Sequence, residues 1–257
     1  MTRVLTRTNF HSSRLIRTLA DLAVLETDAP GGAFAEKLGQ WIGFADAITL
    51  SAVHNASTAI SPGTPSGAQS VARIAIAEEF ARRRVALENS IRMSCSINPG
   101  KTGIELPTPK PGALIKDATA YEPYRRYLCA QQRDMELSVR SLRTKVREQI
   151  SKASPRLRQL VDLDAALDGI LCERESKLLS TVPLLLKRRF DQLLKAHQQT
   201  RPSTQQDDNP DLWMKPGAWL ARFCSELQTV LLAELNVRLL PTVGLIEAFN
   251  NEKIKHT

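Results

Sequence analysis

The chain has 257 residues, of which 42% are hydrophobic and 24% charged. That balance excludes a disordered chain and suits one large or two modest domains. Aromatics make up only 5%, so the core must be aliphatic, which favours helices over sheets. The net charge of +8 raises nucleic acid or another anionic partner as a question.

Cys95, Cys129, Cys172 and Cys224 stand apart, with no C-x-x-C. They read as reduced core thiols, the pattern of a cytoplasmic protein. Asp21 interrupts the apolar stretch near the amino terminus, so no signal peptide is expected. The charge-free window between Asp46 and Arg73 contains His54, Pro62, Gly63, Pro65 and Gly67. It is uncharged without being apolar, and no membrane insertion is expected.

In chain order, Ser12 or Ser13 caps a first helix carrying Leu15, Ile16, Leu19 and Leu22, which ends before Asp28-Ala29-Pro30-Gly31-Gly32. A second places Phe34, Leu38, Trp41, Ile42, Ala45 and Ile48 on one face and dissolves from Asn55 into a Ser/Pro/Gly stretch. A third runs from about Ala68 to Arg92, with Val71, Ile74, Ala75, Ala81, Val85 and Ile91 as a less regular packing face. Residues 97–114, rich in Pro and Gly, read as a linker between an amino-terminal region of three helices (1–96) and a helical region (115–257).

The strongest periodicity follows. Leu128, Met135, Val139, Leu142, Val146 and Ile150 lie on a segment free of Gly and Pro from Tyr124 to Ser154, a helix of roughly 45 Å. Ser154-Pro155 ends it and starts the next, carrying Leu157, Leu160, Val161, Leu167, Ile170, Leu171 and Leu178. So short a connection predicts an antiparallel hairpin. Pro183 either kinks the second arm or opens a new helix with Leu186, Phe190, Leu193 and Leu194. A polar loop is expected near 200–212. Pro216 then opens a last long helix with Trp219, Phe223, Leu227 and Leu231, which Pro241 ends or bends. Trp41 and Trp219 should be core anchors.

The motifs for chemistry are thin. Pro99-Gly100-Lys101-Thr102-Gly103 resembles the tail of a phosphate-binding loop, but Cys95 stands where the first glycine belongs. Asp162-Leu163-Asp164 and Asp168-Gly169 echo an aspartyl nucleophile and a calcium loop. Helical residues two apart point in different directions, so a solvated face is the expectation. His11, His54, His197 and His256 are scattered. No catalytic residue, cofactor site or metal site is assigned, and the chain does not read as an enzyme.

Charge is the feature that stands out. Between Lys116 and Arg158 there are eleven cations and five anions. Arg126, Arg133, Arg140 and Arg147 recur every seven residues, forming a stripe about 120° from the apolar seam and therefore expected to be exposed, and Arg143 is taken with them. These five arginines are the candidate surface for nucleic acid or an acidic partner. The alternative is a solvated outer face. Arg82-Arg83-Arg84 and Lys187-Arg188-Arg189 are smaller clusters of the same sort.

Three stretches then carry a resemblance: Phe10-x-Ser12-Ser13-Arg14-Leu15-Ile16-Arg17, Phe34-Ala35-Glu36-Lys37-Leu38-Gly39-Gln40-Trp41 running into Asp46-Ala47-Ile48, and Leu239-Leu240-Pro241-Thr242-Val243-Gly244-Leu245-Ile246-Glu247-Ala248. With these the chain resembles a bacterial family, domain of unknown function 3348. The resemblance implies no catalytic or binding residue. It implies an association with genes for proton-channel proteins of the flagellar-stator type and peptidoglycan-binding envelope proteins, and so a cytoplasmic partner of such a complex. The sequence thus leads to an all-α helical bundle with a long antiparallel hairpin in its carboxy-terminal part. The expected function is an interaction or adaptor protein, self-associating or docking a protein partner through that hairpin. The alternative is nonspecific nucleic-acid binding through the arginines.

Overall fold

The computed structural model describes residues 13–22, 40–56, 66–95, 104–109, 118–200 and 210–252. Among these the fold is all-α, with no strand. The helices are α1 (Arg14–Asp21), α2 (Phe44–Asn55), α3 (Ser66–Ser94), α4 (Glu122–Ala153), α5 (Arg158–Leu179), α6 (Val182–Gln199), the single turn α7 (Pro210–Trp213) and α8 (Trp219–Asn251).

Most starts and stops follow from local chemistry. Pro183 sits in the first turn of α6, so it opens a fresh helix, where its missing N–H costs nothing. Ser154 breaks α4, and a 3₁₀ turn at Pro155–Leu157 leads into α5. Gly217 takes φ +86°, the left-handed backbone that turns the chain between α7 and α8 and delays the last helix to Trp219, beyond Pro216. One expectation needs correction, and one of two alternatives is excluded. Helical backbone at Gln40–Trp41 does not run on to Asn55: it stops, and Gly43 starts α2 afresh by donating its N–H to Asp46 Oδ2 at 2.9 Å. Pro241 does not end the last helix, which continues through it to Asn251. The leucines and isoleucines on either side, Leu239, Leu245 and Ile246, are buried, so packing outweighs the one backbone bond that proline removes.

The chain divides into two compact units, each discontinuous in sequence. The first comprises 1–29, 88–134 and 180–237, the second 30–87, 135–179 and 238–257. This differs from a division at residues 97–114, since both units draw on segments before and after that stretch. Within 104–109, Leu106 is buried and donates its N–H to the Ser94 carbonyl at 3.2 Å.

The first unit concentrates the aromatics. Phe190 meets Phe223 edge-on at 5.1 Å, Trp219 at 5.4 Å and Tyr121 at 5.5 Å, separations at which ring quadrupoles attract. Tyr121 is fully buried and its hydroxyl donates to the Pro183 carbonyl at 2.6 Å. Trp219 is therefore the expected core anchor; Trp41, in the other unit, is only half-buried. A relay closes the other side of this core. The Ser94 hydroxyl donates to the Ile91 carbonyl at 2.9 Å and accepts from Tyr127, at 2.7 Å, and from Gln131 Nε2, at 2.9 Å. The Ser94 hydroxyl thus makes three hydrogen bonds, as a buried polar group favours.

The second unit is mainly aliphatic. Met135, Val139, Leu142, Val146 and Ile150 of α4, Ile76 of α3, Val161 of α5 and Leu245, Ile246 and Phe249 of α8 form its core. Helix α2 packs on α5, and the Gln159 side chain donates to the His54 carbonyl. Arg73 reaches inward over the Phe249 ring, 4.9 Å from its centroid, with Glu252 at 3.8 Å.

Candidate interaction surface

The predicted arginine surface is resolved residue by residue. Arg126 and Arg133 belong to the first unit, Arg140, Arg143 and Arg147 to the second. Arg126 is 78% exposed and pairs with Glu122 at 3.2 Å. Arg140 is 52% exposed and pairs with Glu136 at 3.2 Å. Arg133 is exposed. Arg143 and Arg147 contradict the expected exposure, being only 11% and 12% exposed.

Both are turned onto α5. Arg143 donates to Asp164 at 2.5 and 3.0 Å and to Asp168 at 2.8 Å. Arg147 donates to Asp164 at 2.7 Å and to Asp168 at 3.1 Å. Asp164 and Asp168 are thus the anionic half of a four-residue cluster, not the solvated face expected of them; Asp162 does remain exposed. The pairs 143–168 and 147–164 run in opposite directions along their helices, as they must in the predicted antiparallel hairpin, and Ser176 bonding Glu136 at 3.2 Å continues the register.

The stripe turns inward for a geometrical reason. Seven residues fall about 20° short of two full turns, so a heptad repeat on a straight helix drifts steadily around it. Over three heptads that is about 60°, enough to carry Arg126 away from the flank while Arg147 falls where α5 packs. The remaining basic clusters are also neutralised in part. Arg82 and Arg83 both bond Glu79, at 2.7 and 3.0 Å, Lys187 bonds Asp191 at 2.7 Å, and Arg189 grips Glu226 with two bonds of 2.7 Å.

Nor is the α4 seam free to accept a partner helix. Leu128, Met135, Val139, Leu142, Val146 and Ile150 are each at most 6% exposed, filled by the chain's own core. The hairpin therefore loses the docking face the heptads suggested.

An unfilled apolar face lies instead on α3. Val71, Ile74 and Val85 are 68%, 61% and 53% exposed. At 100° per residue they share an arc of about 80° with Ala81 and Glu78, while Ile76 lies on the opposite side. Ile76 is 2% exposed. Helix α3 is thus apolar on two faces, one packed and one outward. The irregular pattern in the sequence reads as a single packing face, but Ile76, Phe80 and Leu87 are interleaved with the other set and form the second one. On the opposite side of α3, where it faces α4, a groove of about 360 Å³ is lined by Arg83, Ala86, Leu87, Leu137, Ser138, Ser141, Leu142 and Lys145, with Leu137 60% exposed.

Other chemistry-bearing residues are dispersed. Among the described residues no three His, Cys, Asp or Glu side chains are placed to hold a metal ion. His54 is exposed, His197 stacks on Trp219 at 5.8 Å, and Pro99–Gly103, His11 and His256 lie outside the described residues, as does most of the expected loop at 200–212. A recess of about 40 Å³ beside Arg143, Glu175 and Arg238 is sized for a few waters. Burial there raises the Glu175 carboxyl above the usual range, against the pull of Arg238. The four cysteines are free, but they are not all core residues: Cys224 is buried, its thiol pushed up to about 12 by that burial, whereas Cys129 is exposed.

These features define an all-α protein with an exposed apolar row on α3. The chain belongs to the family described as Protein of unknown function (DUF3348), whose model matches residues 1–251. No curated protein and no solved structure matches it.

Proposed function

We infer that this protein is a cytoplasmic helical interaction protein that docks a helical partner on the outer face of α3. The observation that carries this reading is the exposure of Val71, Ile74 and Val85 in line on a helix already anchored by its opposite face. Single exposed apolar residues are ordinary on a protein surface. Three β-branched side chains lie in line over about 21 Å of one helix face, and aligned exposed apolar residues of this kind mark interaction sites. Partnership with an envelope proton-channel complex is compatible with it but rests on the family resemblance alone.

The rival reading, nonspecific nucleic-acid binding through Arg126, Arg133, Arg140, Arg143 and Arg147, loses support from the ion pairs that four of the five make among the described residues, Arg133 being the exception. Arginines held by carboxylates would have to give up those bonds to release counterions from phosphate. Helix α8 passes a length and composition test for a membrane span, yet 56% of that stretch is buried in the protein, which is how a core helix passes it too.

A photo-reactive residue placed at exposed Ala81 in living cells tests the proposal. A discrete protein adduct, lost when Ile74 and Val85 are changed to Asp, is expected. Absence of any adduct above background overturns it.

A further inference from the structure

The docking reading leaves the occupant open, and the charges on α3 select one. In heptad terms Val71, Glu78 and Val85 occupy one seam position and Ile74 and Ala81 the other, so the outward face is a short coiled-coil seam with a carboxylate near its centre. Glu78 is exposed and has no ion-pair or hydrogen-bond partner among the described residues. One turn further on, Arg82 is 74% exposed. Its bond to Glu79 is duplicated, since Arg83 also holds Glu79, at 3.0 Å.

This arrangement is self-complementary in one orientation only. Packed in parallel with a second copy, Glu78 faces Glu78 within the seam, which is repulsive. Packed antiparallel about a two-fold axis between Glu79 and Phe80, Ile74 of each copy meets Val85 of the other. Glu78 meets Ala81, whose small side chain lets the helices approach, and the Glu78 carboxylate comes beside Arg82 across the interface. A two-fold axis makes each of these contacts twice, as an isologous interface requires.

We propose that this protein forms an antiparallel homodimer through the outer face of α3, with Ile74 and Val85 as the apolar layers and Glu78–Arg82 as the intermolecular ion pairs that set the direction. The proposal rests on the interaction reading above and names its partner as a second copy of this chain. Every residue it uses lies in the second unit.

Sedimentation velocity of the full chain across the micromolar range tests it, with circular dichroism confirming that each variant remains folded. The wild type is expected at twice the chain mass. Ile74→Asp with Val85→Asp should give the monomer. Glu78→Arg and Arg82→Glu should each weaken association at least tenfold, and the two together should restore it, because the pair is only reversed. A wild type that stays monomeric throughout overturns the homodimer while leaving the docking reading to the cross-linking experiment, which would then have to find a different protein. A dimer whose charge-reversed double variant is no tighter than the single variants overturns the antiparallel register.

Discussion

The first unit is closed by rings and the second by aliphatic side chains and charge. Around Phe190, four aromatic residues stand within 5.7 Å, each positioned by the quadrupole of its neighbours. In the second unit the hairpin of α4 and α5 is instead braced by Arg143 and Arg147 against Asp164 and Asp168, over a layer of Met, Val, Leu and Ile. An aromatic core makes large contacts at few positions, so most of its stabilisation is concentrated in few residues. The braced hairpin spreads its stabilisation over more positions, and α3 keeps an apolar face outward.

The sharpest break of this comparison is truncation of a ring. Phe223→Ala removes a side chain with no exposed surface and is expected to cost about 3–5 kcal/mol, measured by urea unfolding. A loss under about 1 kcal/mol would show that the rings do not close the unit. Next comes Ile76→Ala, expected to cost roughly 2–5 kcal/mol, set against Ile74→Ala, expected within about 0.5 kcal/mol when both are measured at concentrations low enough to keep the chain monomeric. The two isoleucines are two positions apart in the sequence and differ by 59 percentage points of exposure, 61% against 2%. Equal losses would deny that α3 has a packed and an outward face.

Asp164→Ala should cost about 1–3 kcal/mol, less than for a fully buried ion pair because the four partners keep 11–22% exposure. A double-mutant cycle with Arg147→Ala should return a coupling energy; additive losses would mean the brace is ornamental to stability.

A pH series probes the first unit's charges. Burial pushes the Glu226 carboxyl up, but the hydrogen bonds from Arg189 and Arg222 outweigh it, and its pKa ends lowered. Glu122 is held down to about 2 by the hydrogen bond from Arg125. A carboxylate with a depressed folded-state pKa gives stability that is present above its unfolded pKa and lost as pH falls through the folded value. Stability should therefore decline on the acid side, and Glu226→Gln should flatten that decline; an unchanged slope would sink the assignment. The smallest effect is chemical rather than energetic. Cys129 should react with a thiol reagent in the native protein, whereas Cys224, buried with its thiol pKa at about 12, should react only on unfolding.

Much of this architecture is legible in the chain itself. Six apolar residues at helical spacing on a Gly-free segment can only be a long helix with one buried seam, and Ser154-Pro155 can only be a tight reversal, because cap and proline chemistry act over a few residues. Tertiary packing decided three matters that local chemistry cannot. It ran α8 through Pro241, where burial on both sides outweighs one missing backbone bond. It buried Arg147 rather than Arg126, because the heptad drift becomes meaningful only once α5 occupies one flank of α4. It also chose which of two apolar faces of α3 to cover. Periodicity reports that a side chain is apolar and where it points around its helix, but whether another element lies there depends on residues far away in sequence, and that is why the outward row of Val71, Ile74 and Val85 emerges only from the fold.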